Sequence, residues 1–384
     1  MLIYYIPIVW LFTLSNIKLG KHKNLLEKIT VFLLGIFLCT TYFTGSDWRA
    51  YEKLYELNSF ENLGMLYGEI GYHVYSLIFK SLGFDFWYFF IITKLWCFYI
   101  FYKKIKERSN NIFFVLMLCY FYIFLYLFID CPLRNLIAVG IFLLSENFLL
   151  KKKYIKYYLF CILAFLFHKS SFFMFFLPFV KRISKINRFI LFGLLIIANI
   201  IFLDKNLLIK LIELLPFGLD MRILKYSGGR YFESSIFSLG NVEKIVIILF
   251  ILFNKNKILK FKEYNKYLIS ILIIYYIFYR LSFIISIFGR FGTYFIIYYI
   301  FNINLIYDFF KKNINKKSII IFFFMYGILM IYKTTLTTYN YLPYTSYLSY
   351  IFKEKPSYQY RKNYAFYKYI ERRGKDSYIE KYLK

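Results

Sequence analysis

The sequence predicts an all-α fold: a polytopic membrane protein of about 10–12 transmembrane or re-entrant helices, with the loops of its candidate active site facing outward. Three observations lead there. The 384 residues are 60% hydrophobic and 25% aromatic, with a mean hydropathy of +0.53. The apolar residues come in long blocks rather than in the stripes of amphipathic helices, and most lysines sit in short clusters between those blocks. In a soluble protein the formal charge of +29 would point to nucleic acid. Between apolar blocks it reads as topology signals and contacts with the anionic headgroups of membrane lipids, so no nucleic-acid partner is expected.

The five cysteines, Cys39, Cys97, Cys119, Cys131 and Cys161, lie scattered through apolar segments without a CxxC pair, and only three histidines accompany them. No disulfide framework, zinc site or cofactor is expected. The stretch MLIYYIPIVWLFTLS has neither a basic n-region nor a small-residue cleavage site, and it reads as a retained first span.

Spans need about 20 apolar residues, and short loops rich in Lys and Arg stay in the cytoplasm. Span one, about 2–18, runs inward to KLGKHKNLLEK, and span two, about 28–44, runs out. The segment from Gly45 to His73 is acidic in balance, as an external loop should be. Counting 71–82 as a span would place KKIKER outside, so it reads as re-entrant or surface-lying, with the true span at about 84–102. Spans at about 112–129 and 133–150 lead to KKKYIK. The run 154–180 joins two basic loops, so it must turn, and the place is His168-Lys169-Ser170-Ser171, with a shorter returning limb that holds Pro178. Spans at about 189–203, 242–254, 267–280, 290–309 and 318–333 follow, with a turn around Phe288-Gly289-Arg290. Residues 1–333 thus form one multi-span domain with outer loops at about 45–70 and 204–241. Residues 334–384 form a polar, aromatic, basic tail that parity places outside, while YLPYTSYLSYIF fits the interface or a re-entrant path equally well.

An arginine at membrane depth costs several kcal/mol unless it snorkels or meets an anion. Arg49, Arg134, Arg222, Arg230, Arg280 and Arg290, half of all the arginines, fall at or near the outer face. Arg134 and His168 stand about 22–26 Å above the inner boundary, at the outer ends of adjacent antiparallel helices. Guanidinium matches phosphate through paired planar donors, so this level is suited to a lipid diphosphate. Arg134, Arg290, Arg280, Arg49, Arg230 and Lys169 are the candidate anion ligands. His168 is a candidate general base toward a sugar hydroxyl, and Asp47 is the alternative; Trp48, Tyr51, Tyr55 and Tyr294 are aromatic groups for sugar contact. The bland reading pairs the arginines with Asp47, Glu69, Asp130 or lipid phosphate to hold the bundle, makes His168 a buried hydrogen-bonding residue, and makes 47–57 an interfacial helix capped by Ser46 or Asp47. Glu69 and His73, one turn apart, form a lesser polar pair. No DxD is present and no metal is expected.

The segments GSDWRAYEKLY, EIGYHVYSLIFKSLG, RNLIAVGIFLLS with AFLFHKSSFF, GRFGTYF and YLPYTSYL resemble the EpsG family within the Wzy-like exopolysaccharide and O-antigen polymerases. The resemblance implies a glycosyltransferase of the bacterial inner (cytoplasmic) membrane that joins undecaprenyl-diphosphate-linked repeat units at the outer face, with flippase and chain-length regulator proteins as further partners. It also implies that Arg134, His168, Arg290 and the Asp47 segment line the reaction centre. Two other readings fit the polar outer level: a GT-C-like glycosyltransferase that uses a polyprenyl-phosphate sugar with Asp47 as base, and a transporter or flippase of lipid-linked glycan. A transporter would carry a polar path through the midplane, for which the outer cluster has no inner counterpart.

Overall fold

The structure is a computed structural model that describes residues 1–61, 69–201, 210, 213, 238–260, 263–283, 287–310, 312–337 and 339–373. Among them helices dominate, and the single β contact is an isolated bridge between Thr41 and Ser346. The first two helices, α1 (Tyr5–Asn16) and α2 (Lys23–Cys39), match the two expected opening spans. Helix α3 (Trp48–Leu57) buries Trp48, Tyr51, Glu52, Leu54 and Tyr55, the three- and four-residue spacing of an amphipathic helix. The ambiguous stretch is the 12-residue α4 (Ile70–Ser81), and the long helix after it is α5 (Phe86–Arg108), whose first turn is capped by Asp85 through the Tyr88 N–H at 2.9 Å.

Helix α6 (Ile112–Cys119) continues as a π-helix over Tyr120–Asp130; the chain then turns at Cys131, whose φ is +56°, and enters α7 (Leu133–Leu150). Helix α8 (Tyr154–Phe167) stops where expected, at His168, and the chain proceeds through 3-10 turns and a short helical turn at Leu177–Val180 into α9 (Arg188–Ile201). The two limbs around residue 186 are bent by 118°. Helices α10 (Leu239–Phe253), α11 (Glu263–Ser282), α12 (Ile287–Phe309), α13 (Asn313–Thr337) and α14 (Tyr358–Arg373) complete the described chain. By length and composition Ile112–Asp130, Leu133–Leu150 and Ile314–Leu336 can each cross a membrane, with Leu2–Asn16 and Tyr154–Phe167 as shorter apolar helices. The expected turn at Phe288–Arg290 is not found at those residues. Phe288, Gly289 and Arg290 are already helical, and a Cβ on Gly289 would meet nothing closer than Ser282 Cβ at 3.7 Å, so no break is imposed there.

The chain divides into two compact units, Met1–Leu144 with Ile162–Lys169 and Lys312–Lys384, and Ser145–Cys161 with Ser170–Lys311. The tail belongs to the first. It is bound there by the Tyr4 hydroxyl to Tyr341 O at 2.6 Å, the Tyr42 N–H to Thr345 O at 3.0 Å and the Tyr347 N–H to Thr40 O at 2.7 Å. Arg361 Nη1 reaches both Glu52 oxygens, at 2.9 and 2.7 Å, under the rings of Tyr42, Trp48, Trp87 and Tyr358, and Trp87 Nε1 also donates to Glu52 at 3.0 Å. A buried pair of this kind is held by its hydrogen bonds, and removing one partner strands the other charge. At the opposite end of the unit Glu27 accepts from Lys106 and Tyr102, both at 2.6 Å, and Asn111 donates to Ser15 O at 3.0 Å.

In the second unit α11 and α12 form an antiparallel pair, with the Phe278 and Phe295 rings stacked at 5.7 Å and Asn302 donating to Leu268 O at 3.1 Å. A buried polar knot joins α9, α10 and α11, where the Tyr276 hydroxyl meets Asn199 at 2.8 Å and Asn241 at 3.1 Å. Such groups persist in an apolar bundle because they satisfy one another.

Two stability outcomes follow from the first unit. Gly45 has φ +91°, and a Cβ there would overlap Ile129 O and stand 3.0 Å from Asp130 Cα; Gly45→Ala is expected to cost about 2–4 kcal/mol, seen as a lower unfolding midpoint of the purified protein in detergent. Arg361→Met should cost about 3–5 kcal/mol, and the double variant with Glu52→Met should recover part of it; a double variant no better than the single would show that the pair does not hold the tail.

Candidate functional site

The site is built on the segment that leaves α2. Backbone contacts to the tail hold this segment as a thread: Gly45 N–H to Asn340 O at 2.8 Å follows the Tyr42 and Thr40 bonds. Beneath it Lys94, fully buried, donates to Thr41 Oγ1 at 2.6 Å and lies 4.7 Å from the Phe90 ring centroid. The positive φ of Gly45 then lets the chain pass close over Ile129 and Asp130. Ser46 in consequence donates to Asp130 Oδ1 twice, from N–H at 2.9 Å and from Oγ at 2.7 Å, and its Oγ stands 3.1 Å from Asp47 Oδ1. Asp47 occupies the N-cap position of α3 without a side-chain capping bond. Asp47 and Asp130 are thus joined through one hydroxyl, which has a single proton to give.

Arg134 follows from the other side of Asp130. The π-helical run, the left-handed Cys131 and Pro132 end one helix and start the next within three residues, so Arg134 enters α7 in its first turn. Its Nη1 lies 2.7 Å from Glu69 Oε2, the side chains being 22% and 9% exposed. Its guanidinium stands 5.6 Å from the Tyr51 ring centroid, and its backbone N–H donates to the Tyr51 hydroxyl at 3.4 Å. Burial pushes the Tyr51 phenol up to about 12 against the opposing pull of Arg134, so it is a neutral hydroxyl at physiological pH.

Glu69 is the joint. Its Oε1 accepts from the Lys169 N–H at 3.3 Å, so one carboxylate spans Arg134 and the helix break beside His168. The approach depends on Gly71: α4 starts against the backbone of Leu166, and a Cβ on Gly71 would stand 2.9 Å from the Leu166 carbonyl carbon and oxygen. His73, the expected partner of Glu69 one turn on, turns instead to Asn58, Nδ1 to Oδ1 at 3.3 Å, with both residues 1% exposed.

Asp47, Arg134, His168 and Lys169 therefore all belong to the first unit, and Glu69 and Asp130 draw them together. His168 is 8% exposed, while Lys169 is exposed. Arg49 is half-buried and donates to Asn340 Oδ1 at 3.3 Å. Trp48, considered for sugar stacking, is 1% exposed, with its ring 5.5 Å from Trp87, 6.0 Å from Tyr358 and 5.5 Å from the Arg361 guanidinium. Its role is the packing of the tail, and its placement leaves no ring face open to a sugar. Arg280, Arg290 and Tyr294 belong to the second unit. There Arg280 is fully buried, Arg290 is exposed in the first turn of α12, and Tyr294 meets Ser170 hydroxyl to hydroxyl at 3.1 Å. Arg222, Arg230 and most of the outer loop 204–241 lie outside the described residues.

Glu69, Asp130 and Tyr51 carry more of the geometry than their sequence context announced. The one signal for Glu69 was a carboxylate two residues before a glycine at the start of an apolar helix; for Asp130 it was the DCP break.

A bundle of apolar helices with a polar cluster of carboxylates, arginine and histidine at one end of its first unit belongs to an all-α polytopic membrane protein. The chain belongs to the EpsG family, whose model matches residues 24–346. Neither the curated proteins nor the solved structures give a match.

If Glu69 and Arg134 act as one unit, a double-mutant cycle with Glu69→Ala and Arg134→Ala should give a coupling energy of about 1–3 kcal/mol in detergent unfolding. Additive losses would show that the two side chains are energetically independent.

Proposed function

We propose that the protein is a polysaccharide polymerase that joins undecaprenyl-diphosphate-linked oligosaccharide repeat units at the outer face of the bacterial inner membrane. The observation that supports this most is the mostly buried Arg134 guanidinium fixed by Glu69 beside the Asp47 and Asp130 carboxylates. Such a pairing presents a phosphate-binding cation and a proton acceptor in one unit. The end that carries them also receives the acidic 45–61 segment, whereas the opposite end carries the basic KKIKER loop, the charge asymmetry of an outer and a cytoplasmic face, against which the basic tail stands.

In this reading the acceptor sugar hydroxyl attacks the anomeric carbon of the donor. A new glycosidic C–O bond forms, the bond from that carbon to the lipid diphosphate breaks, and the hydroxyl proton passes to a base. Arg134 holds the departing diphosphate charge. His168 and Asp47 are the two base candidates. Asp47 is the more open, and it is already hydrogen-bonded toward a second carboxylate through Ser46. Lys169 and Arg49 add positive charge at the same end, and flippase and chain-length regulator proteins are the expected partners in the membrane.

Arg134→Ala, produced at normal protein levels, should leave single repeat units on lipid and abolish the polymer ladder, with a loss of at least about 10²-fold in chain growth. Asp47→Asn and His168→Ala separate the two bases: the true one should cost about 10²–10⁴-fold, the other much less. A ladder unchanged by Arg134→Ala would sink the assignment. Single-sugar products from purified protein would instead favour the polyprenyl-phosphate glycosyltransferase. Movement of lipid-linked glycan without chain growth would favour a flippase.

A further inference from the structure

Residues 347–355 lie beyond the stretch matched by the family model, and they display an apolar tip. Phe352 is 98% exposed, with Leu348 at 47% and Ile351 at 46%. The turn that carries them is held from within. Tyr347 is 2% exposed, its N–H bonds Thr40 O, and its ring lies 5.3 Å from Tyr42. A turn fixed on its inner side cannot rotate its apolar side chains out of water, so something must cover them.

Its neighbours identify the cover. Lys355 bonds Asp85 at 2.8 Å, at the cap of α5, and lies 5.7 Å from the Tyr88 ring and 5.0 Å from the Tyr347 ring. From Tyr88 onward α5 presents Tyr88, Ile92, Leu95, Trp96 and Tyr99 as exposed side chains three or four residues apart. On a helix of a membrane bundle such a stripe faces acyl chains, and the 347–355 turn sits at its first residue. The tip therefore continues a lipid-facing surface at the level where that surface ends. Aromatic rings and snorkelling lysines are the side chains that this level favours.

We propose that residues 347–355 seat the C-terminal tail in the bilayer, with Leu348, Ile351 and Phe352 at the headgroup–acyl boundary and the neighbouring Lys353 ammonium at the lipid phosphates. The anchor rests on the chain being a membrane protein and is independent of the polymerase reading. It gives the tail a second hold besides the Arg361–Glu52 pair, so that the thread carrying Asp47 is fixed both to the bundle and to the lipid surface.

Depth measurement tests this directly. The five native cysteines are all buried, so Phe352→Cys accepts a nitroxide label selectively in the purified full-length chain. In proteoliposomes of phosphatidylethanolamine and phosphatidylglycerol, the label should collide more often with oxygen than with a water-soluble nickel chelate, at a depth of about 5–10 Å. A label as open to nickel as free nitroxide in solution would overturn the proposal. Trypsin cleavage after Lys353 should be about tenfold faster for Phe352→Ser than for the wild type in the same liposomes. Equal rates would overturn it as well. Neither readout uses polymerase activity, so a failed polymerase assay and a failed anchor are distinguishable.

Discussion

A charge in an apolar bundle persists where a counter-charge is fixed to meet it, and the first unit of this protein depends on one such meeting. Glu69 faces Arg134 at 2.7 Å and the Lys169 N–H at 3.3 Å. That carboxylate is why the chain can hold a mostly buried guanidinium at the start of α7 and a broken helix at His168 within the same small volume. The low dielectric that strengthens the pair also makes its parts inseparable: either charge alone would carry the full penalty of desolvation. Arg134 is therefore held in place before any ligand arrives, as the proposed diphosphate contact requires.

The second constraint is backbone proximity. Gly45 lies over Ile129 and Asp130, and Gly71 lies against Leu166; both positions exclude a side chain because another main chain passes there. These two contacts bring together pieces of sequence that lie about 85 and 95 residues apart along the chain. Asp47 and Glu69 sit two residues from Gly45 and Gly71, Asp130 lies on the chain that Gly45 touches, and Arg134 follows four residues later. Chemistry in this protein is thus placed by main chain meeting main chain, and side-chain packing fills in behind.

How much of this was legible in the sequence follows from that logic. The helical, membrane-protein class was legible because hydrophobic length and lysine clusters are local quantities. The break at His168 was legible because 154–180 had to join two basic loops. That Arg134 and the His168 break would be neighbours was suggested by KKKYIK between them, and Glu69, which reaches Arg134 and the Lys169 N–H, is what links the two stretches. The role of Glu69 was not, since nothing in its own neighbourhood says which of several arginines it meets. Trp48 looked like a sugar platform because its lid is Tyr358 and Arg361, some three hundred residues later. The tail gave the least away: its partners Thr40, Tyr42 and Glu52 lie at the other end of the chain, and polar, aromatic composition alone does not say what a segment covers.

The π-helical winding of Tyr120–Asp130 has a consequence for how this protein can vary. A π-helix closes wider rings than an α-helix and amounts to extra residues accommodated within one helix. Removing a residue from this run would displace Asp130 from the Ser46 donors and from beneath Gly45 unless the rest of the run rewound to compensate. Insertions and deletions are thus far more dangerous here than substitutions. Side chains along Tyr120–Asp130 can be exchanged for others of similar bulk, but the number of residues between Asn111, which begins the helix, and Cys131, which ends it, is itself part of the site.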